Sequence, residues 1–321
     1  MRSFLVVTFC YFGLALALLV SLGLDLDLAT RMLLELSSDR LGLLQSTAIW
    51  FLPLALIGPI LTGRRNRIAA ALMAAAGCVL LQSGFSLIKS MIPFLVPFYA
   101  DPWLAQMDHA LHGSADPWVA LHGLVNAKVI EIFLPLYLHV WIIPAMALPV
   151  FIAATDGDTA RRDRFLILFL FCWMCLGNVV AILGASVGPV FYDGTYGTTR
   201  FAALVTELHH SGFSDGMLGR IQAYQWDSYV TKALLPASGI SAFPSVHVAI
   251  AMLVALYIAE RWRRWWPAGL LFVAAILFLS VYTGYHYAID GYFSIMAVVG
   301  VWFCLRLRAK RSYAQENYVA D

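Results

Sequence analysis

The chain has 321 residues, of which 61% are hydrophobic and only 12% are charged, and its mean hydropathy is +0.77. Soluble domains are about 45–50% apolar and about 25% charged, so the composition excludes a water-soluble globule, and it excludes an intrinsically disordered chain as well. The net charge of +2 gives no indication of nucleic-acid binding. A protein embedded in a membrane remains.

Eight apolar runs are long enough to cross a bilayer, since one span needs roughly 20 residues. Arg2 before the first run resembles the start of a signal peptide, but the run continues to Leu24 and favours a retained helix. The pattern predicts an all-α polytopic membrane helix bundle of about eight transmembrane helices. The predicted spans are 4–24, 41–62, 68–88, 132–154, 165–187, 242–259, 267–283 and 287–305.

Basic residues are distributed unequally between the loops on the two sides of these spans. Alternate numbering of the loops places 14 of the 21 Lys and Arg residues on the side that holds both termini, which predicts cytoplasmic termini. No linker divides the chain, so we expect a single membrane-embedded domain, 1–321. It consists of N-terminal helices (1–90), an interfacial segment (91–131), core helices (132–305) and a cytoplasmic tail (306–321).

Two outer segments are longer than turns require. Residues 89–131 contain a near-repeat, in which Asp101-Pro-Trp and Asp116-Pro-Trp are each followed by Ala-Leu-His-Gly, and they predict short helices at the lipid–water interface. Residues 188–241 contain no spanning run, and long loops are often functional. The five cysteines all fall inside predicted spans, which favours packing roles over a disulfide or redox site.

Two polar segments lie at the ends of predicted spans. Gly239-Ile-Ser-Ala-Phe-Pro-Ser-Val-His247 opens the sixth span, and Tyr282-Thr-Gly-Tyr-His-Tyr-Ala-Ile-Asp-Gly291 joins the seventh to the eighth. His247 and His286 are 39 positions apart, and a basic turn at 260–264 lies between them. The chain therefore crosses the membrane and returns, which places both histidines near the same outer face. Polar groups at this depth are costly and usually functional.

The residue types in these segments suit the transfer of a phosphoryl group. His286 and Asp290 are spaced i,i+4, so on a helix the carboxylate can orient the imidazole and raise its basicity. Pro244 marks the first turn of a helix, where Ser245 and free backbone N–H groups form an anion site. His247 follows directly as a proton donor. The alternative, that each histidine only packs and hydrogen-bonds within the bundle, does not account for the whole set.

The same residues resemble a known family. Phe243-Pro-Ser-Val-His247 resembles the second signature of the type-2 phosphatidic acid phosphatase superfamily, and His286-Tyr-Ala-Ile-Asp290-Gly291 resembles the third. The Phe-Pro-Ser-x-His form, the 39-residue spacing and the interfacial segment 101–123 are similar to the inositol phosphorylceramide synthase branch and its bacterial relatives. The resemblance covers roughly residues 95–305 and implies a phosphatidic acid phosphatase/vanadium haloperoxidase-like core.

The resemblance also implies roles for individual residues. His286 would attack phosphorus and become a phosphohistidine, and Asp290 would orient it. His247 would protonate the leaving oxygen and then activate the incoming hydroxyl, while Ser245 would hold phosphate oxygens. The family needs no metal or other cofactor for this chemistry.

The sequence departs from the superfamily pattern in its cations. The first signature, a Lys and an Arg-Pro, is absent, and Ser280 stands where the third signature usually carries an Arg; the synthase branch lacks that Arg too. The sequence therefore does not decide which basic side chain would bind the phosphate, although Lys232 is slightly favoured. The outer-face candidates are Lys89, Arg200, Arg220 and Lys232.

These features predict an integral membrane enzyme whose site faces the periplasm or lumen. The leading hypothesis is a lipid phosphotransferase of sphingolipid or phospholipid metabolism that moves a phospho-headgroup, such as an inositol phosphate, between lipids. A lipid-phosphate phosphatase is the main alternative. A rhomboid-type serine protease using Ser241 and His286, or a transporter, fits fewer of the residues. The partners are phospholipid or lipid-phosphate substrates and membrane lipids, and a homo-oligomer is left open.

Overall fold

The regular elements of the chain are helices throughout the part that the structure, a computed structural model, describes. That part is residues 1–24, 26, 27, 30, 53, 56–235 and 237–320, with side chains described as far as residue 309. The predicted all-α fold is confirmed. The helices are α1 (Arg2–Ser21), α2 (Ile68–Leu95), α3 (Asp101–Leu111), α4 (Pro117–Leu124), α5 (Ala127–Pro135), α6 (Ile142–Thr155), α7 (Thr159–Leu170), α8 (Ala181–Leu183), α9 (Pro189–Tyr196), α10 (Ala202–His210), α11 (Met217–Thr231), α12 (Val246–Arg261), α13 (Trp266–Tyr282) and α14 (Ala288–Ala320).

Two pairs of these helices are continuous through π-helical stretches. Leu136–Val140 joins α5 to α6, and Phe171–Val180 joins α7 to α8. A π turn is usually short and often marks a functional site. Each pair therefore crosses the bundle as one long segment with a locally widened backbone.

Six helical segments among the described residues are long and apolar enough to cross a membrane, and the protein is an integral membrane protein. Each matches a predicted span, but the expected count of eight is not established. The predicted span 41–62 lies largely outside the described residues. The span predicted at 242–259 is α12, whose 16 residues extend about 24 Å, short of a hydrocarbon core of about 30 Å. The six segments are Arg2–Ser21, Arg65–Leu95, Ala127–Thr155, Thr159–Leu183, Arg263–Tyr282 and Ala288–Ala309.

Close helix packing builds the bundle. α1 packs along α2, where a Cβ added to Gly77 would lie 2.6 Å from the Phe4 ring. α12 packs along α13, where a Cβ added to Gly269 would lie 2.8 Å from the Cα of Ala255. Small residues permit such approaches between membrane helices. α2 also packs against α6, and α12 against α14, which brings the two polar segments towards α2.

Charged side chains tie several helices together at one end of the bundle. Asp156 accepts hydrogen bonds from Arg161 at 2.6 and 2.8 Å and from the Tyr257 hydroxyl at 3.0 Å. Arg164 forms a bidentate ion pair with Glu260 at 2.5 and 3.2 Å. Burial acts to raise the pKa of Asp156, but the hydrogen bonds and the charge of Arg161 outweigh it and lower that pKa to about 2.

The two long outer segments fold into short helices. The near-repeat forms α3 and α4, each with a proline in its first turn, in agreement with the predicted short helices. The second segment folds into α9, α10 and α11, none of which is a candidate span. All five cysteines are free; Cys78 and Cys172 are buried, whereas Cys10 and Cys304 are exposed.

Candidate active site

A cavity of about 280 Å³ lies where the two polar segments meet. Its walls come from α2, α6, α11 and both π-helical stretches, together with the loops before α12 and α14. His247 and His286 both line it, and their ring centroids are 5.8 Å apart. The two motifs, which the spacing predicts to share one face, are therefore neighbours at one site.

His247 lies in the first turn of α12, and its ring is held between two aromatic side chains. The Tyr137 ring stacks on it with centroids 4.5 Å apart, and the Trp141 ring lies 4.1 Å away. The Trp141 indole N–H also donates to the His247 backbone carbonyl oxygen at 2.9 Å. Because both ring faces are covered, only the ring edges remain for hydrogen bonding to a ligand.

His286 lies just before α14 and contacts the predicted carboxylate. Its Nδ1 lies 3.3 Å from Oδ2 of Asp290, which also accepts a hydrogen bond from the Tyr287 N–H at 3.0 Å. Asp290 is fully buried and His286 is 5% exposed. The carboxylate therefore fixes one ring nitrogen and leaves the other for substrate.

The surroundings of His286 favour the neutral form of its imidazole. Burial, followed by the charge of the Lys89 ammonium, lowers its pKa to about 3, although the Ala242 carbonyl opposes the shift. A neutral imidazole retains a lone pair, which is the form that can act as a nucleophile.

Ser245 links the two motifs from behind the cavity wall. Its hydroxyl oxygen accepts from the Val248 N–H at 3.4 Å and caps α12, and its own N–H donates to the Asp290 carbonyl oxygen at 3.4 Å. The side chain is fully buried and does not line the cavity. Contact of Ser245 with phosphate oxygens therefore stays a prediction.

Lys89, in the last turns of α2, is the candidate cation that lines the cavity. It forms no ion pair with any carboxylate in the part of the chain that the structure describes. The favoured candidate, Lys232, is exposed at the end of α11 and does not line the cavity, and Arg220 is exposed on the same helix. Arg200 pairs with Asp116 at 3.0 Å.

Asp101, at the start of α3, is a fully buried carboxylate with five hydrogen bonds. It accepts from the Val187 N–H with both oxygens, at 3.1 and 2.9 Å, and from the Gly188 N–H at 2.8 Å. The hydroxyls of Tyr196 and Tyr287 donate to it at 3.1 and 3.0 Å. Burial raises its pKa, and these hydrogen bonds limit the rise. Asp101 thus ties the interfacial segment to the residue after His286.

Asp108 lies two turns further along α3 and caps α14. Its two oxygens accept from the Ala288 and Ile289 N–H groups, both at 3.1 Å. Burial raises the pKa of Asp108 as well, against these same hydrogen bonds. The carboxylate therefore fixes the first turn of α14, directly after His286.

The loop 184–190 connects both motifs through backbone contacts. Ser186 Oγ accepts from the Phe243 N–H at 2.8 Å, and the Val190 N–H donates to the Gly284 carbonyl oxygen at 2.9 Å. Gly188 has φ of +85°, and a Cβ there would lie 2.4 Å from the Tyr285 carbonyl oxygen. Only glycine fits this approach without displacing the chain beside His286.

The histidines of the interfacial segment have hydrogen-bonding partners of their own. His109 contacts Asp116 at 3.2 Å, and His112 contacts the Tyr292 hydroxyl at 3.0 Å. Within the described residues, no group of three or more His, Cys, Asp or Glu is placed to hold a metal ion.

The sequence analysis gave no supporting role to four residues that the structure places around the site. They form two pairs, and the spacing within each pair indicates a shared helix face. Asp101 and Asp108 are seven residues apart, and Tyr137 and Trp141 are four apart. On a helix, each spacing points two side chains in the same direction. Acidic residues so placed on an apolar interfacial helix require buried partners.

Comparison with known proteins identifies a family. A family model, the PAP2 superfamily, matches residues 102–305, which include α4, both polar segments and nearly all of α3. No curated protein and no solved structure matches the chain significantly.

Proposed function

Because the chain belongs to the PAP2 superfamily, we propose that it transfers phosphoryl-containing groups of lipids through a phosphohistidine intermediate. Membership supports a membrane enzyme of the phosphatase or phosphotransferase type that acts on lipid phosphates. The observation that carries the finer proposal is the meeting of His247, His286 and Lys89 in one cavity.

In the first step, the free ring nitrogen of His286 attacks phosphorus. The N–P bond forms as the bond from phosphorus to the leaving oxygen breaks, and Asp290 stabilises the resulting imidazolium. His247 gives a proton to the leaving oxygen, and the negative phosphate bound beside it favours the protonated ring that this step requires. The 5.8 Å between the ring centroids allows both rings to contact one group placed between them.

In the second step, His247 removes a proton from the incoming hydroxyl, whose oxygen attacks phosphorus. The N–P bond breaks and His286 regains its neutral ring. Water as the attacking group releases phosphate, whereas a lipid or headgroup hydroxyl completes a transfer. The two activities share every residue of the site.

Lys89 supplies the positive charge that the phosphate needs in this proposal. An ammonium beside both histidines, without a carboxylate partner among the described residues, is placed to bind an anion. Lys232 remains the alternative, from the sequence prediction. The backbone N–H groups at the N-terminus of α12 complete the phosphate site in this proposal, and Ser245, whose hydroxyl caps that helix, holds them in place.

We favour transfer over hydrolysis. Phe243-Pro-Ser-Val-His247 has the form of the inositol phosphorylceramide synthase branch, and the cavity is lined largely by aromatic and aliphatic side chains. An apolar wall favours a lipid acceptor over water. The basic cytoplasmic loops predict that the site faces the periplasm or lumen.

The test uses purified protein in mixed micelles with phosphatidic acid, ceramide 1-phosphate, or phosphatidylinositol plus ceramide or isotope-labelled diacylglycerol, the label being needed because transfer to diacylglycerol regenerates phosphatidylinositol. Free phosphate and new phospholipid are both followed. We expect His247→Ala to lower turnover about 10²- to 10⁴-fold and His286→Ala to abolish an acid-labile, alkali-stable phosphate on the protein.

His139→Ala is the matched control, because His139 is exposed on the π-helical stretch that carries Tyr137. Wild-type turnover in both His247→Ala and His286→Ala would contradict the proposal. Phosphate release that needs no acceptor lipid would favour the phosphatase over the transferase.

A further inference from the structure

The cavity continues past the histidines along α2. Gln82, Phe85, Ser86 and Lys89 all line it, and their spacing of three, four and seven residues forms one stripe on that helix. Seven residues correspond to about 10 Å along the helix axis. The cavity therefore has an outer end at Lys89 and an inner end, about two turns deeper, at Gln82.

The inner end contains polar groups among apolar walls. Gln82 is 5% exposed, and its Nε2 donates to the Ala145 carbonyl oxygen at 3.2 Å. Trp173, from the second π-helical stretch, is 4% exposed and packs edge-on against Phe85 with centroids 4.6 Å apart. Its indole N–H has no hydrogen-bond acceptor among the residues that the structure describes.

An unpaired indole N–H in this place is costly. The group is a donor only, and leaving a buried donor unsatisfied forfeits its hydration without replacement. A phenylalanine would fill the same space without that cost. An acceptor brought by a ligand removes the penalty, and Gln82 retains one N–H and an oxygen for the same ligand.

The position of these donors defines the chemistry of that acceptor. A lipid that places its phosphate beside Lys89 extends its backbone inward, towards the bilayer. The first acceptors beyond the phosphate, a few bonds away, are the carbonyl oxygens that join acyl chains to the backbone. Only hydrocarbon lies beyond them.

We propose that the inner end of the cavity recognises the ester or amide carbonyl of the lipid substrate, with Trp173 and Gln82 as its hydrogen-bond donors. The inference rests on the proposed function, and it concerns a part of the substrate that does not react. It assigns the site a preference for acyl-linked over ether-linked lipids.

The experiment compares diacyl with dialkyl substrates of equal chain length, as phosphatidic acid and as phosphatidylinositol with an acceptor lipid. Ceramide 1-phosphate separates an amide carbonyl from an ester carbonyl. We expect wild-type protein to favour the carbonyl-bearing form in kcat/KM by about 3- to 10-fold, the value of one buried hydrogen bond. Trp173→Phe and Gln82→Met should lose that preference, so that the ratio of kcat/KM for the diacyl and dialkyl substrates falls towards one.

Met146→Leu, an apolar change in the same wall, is the control and should retain the preference. A helical circular-dichroism spectrum and a gel-filtration profile in detergent like those of the wild type show that each variant is folded. Equal rates for both substrates with wild-type protein, or a preference that survives Trp173→Phe and Gln82→Met, would overturn the inference alone. Wild-type protein that turns over none of these lipids would overturn the proposed function, and the inference with it.

Discussion

The stability of the fold does not explain why a charged residue, Lys89, lies beside the cavity. A half-buried lysine at the outer end of a membrane helix, with no carboxylate partner in the described chain, is costly unless a ligand supplies the negative charge. We expect Lys89→Met to lower kcat/KM by about 10- to 100-fold, the loss of one charged hydrogen bond. Steady-state kinetics on lipid phosphates measures this.

Lys89→Arg should recover part of the activity, because it restores the charge but not the shape. Lys232→Met, measured in parallel, decides between the two lysines. A large loss in Lys232→Met with normal kinetics in Lys89→Met would assign the phosphate charge to Lys232 instead.

The sequence predicted the meeting of the two polar segments better than their surroundings. His247, His286 and Asp290 could be placed because a motif, a helical spacing and one membrane crossing determine where they lie. Lys89 could not be preferred over Lys232, since both lie at the outer ends of helices. Which lysine faces the cavity depends on the rotation of α2 within the bundle, which hydropathy does not report.

At the scale of elements, hydrogen bonds to α3 hold the chain around His286 in place. Asp108 holds two N–H groups at the start of α14, so Asp108→Ala should leave both unsatisfied and let that turn move. We expect kcat to fall about 10- to 100-fold with little change in KM, because a small displacement of a nucleophile is costly to the rate. Kinetics with a saturating lipid separates the two constants.

Asp116→Ala is the matched control from the same interfacial segment. Asp116 pairs with His109 and Arg200 near the surface, so its loss should cost about 0.5 kcal/mol of stability and leave kcat near the wild-type value. A rise in KM with an unchanged kcat for Asp108→Ala would assign that residue to substrate contact instead.

The elements themselves were predictable in type and only partly in extent. Apolar runs and the proline starts of α3 and α4 carry clear local signals. α12 ends at 16 residues because its buried polar N-terminus is anchored to Asp290 rather than extended to the membrane surface. The sequence analysis gave the loop 184–190 no role, since that role depends on contacts with segments 57 to 94 residues away.

In the whole molecule, the two ends of the bundle contain different features. One end holds the cavity, and the other holds the ion pairs around Asp156. Because the pKa of Asp156 is lowered to about 2 from 3.8, its contribution to stability is complete above about pH 4 and is lost as the pH falls towards 2. We expect thermal stability in detergent to decline over that range in wild-type protein.

Asp156→Asn should be about 2 kcal/mol less stable at neutral pH and should show a smaller decline on acidification. Asp163→Asn, an exposed change on the adjoining helix α7, should behave as wild type. Identical pH profiles for wild type and Asp156→Asn would show that other groups govern acid stability. Activity at neutral pH should persist in every folded variant of this end, because no residue of it lines the cavity.

The π-helical stretches lead to an expectation about insertions and deletions among related chains. A π turn holds an extra residue, so Leu136–Val140 and Phe171–Val180 are equivalent to insertions accommodated inside a helix. Deleting one residue from either stretch would let the backbone return towards α geometry and would change which side chains of that stretch face the cavity. Tyr137 and Trp173 are the cavity-lining side chains whose positions would change. A one-residue alignment gap at either place should therefore separate relatives with differently shaped cavities.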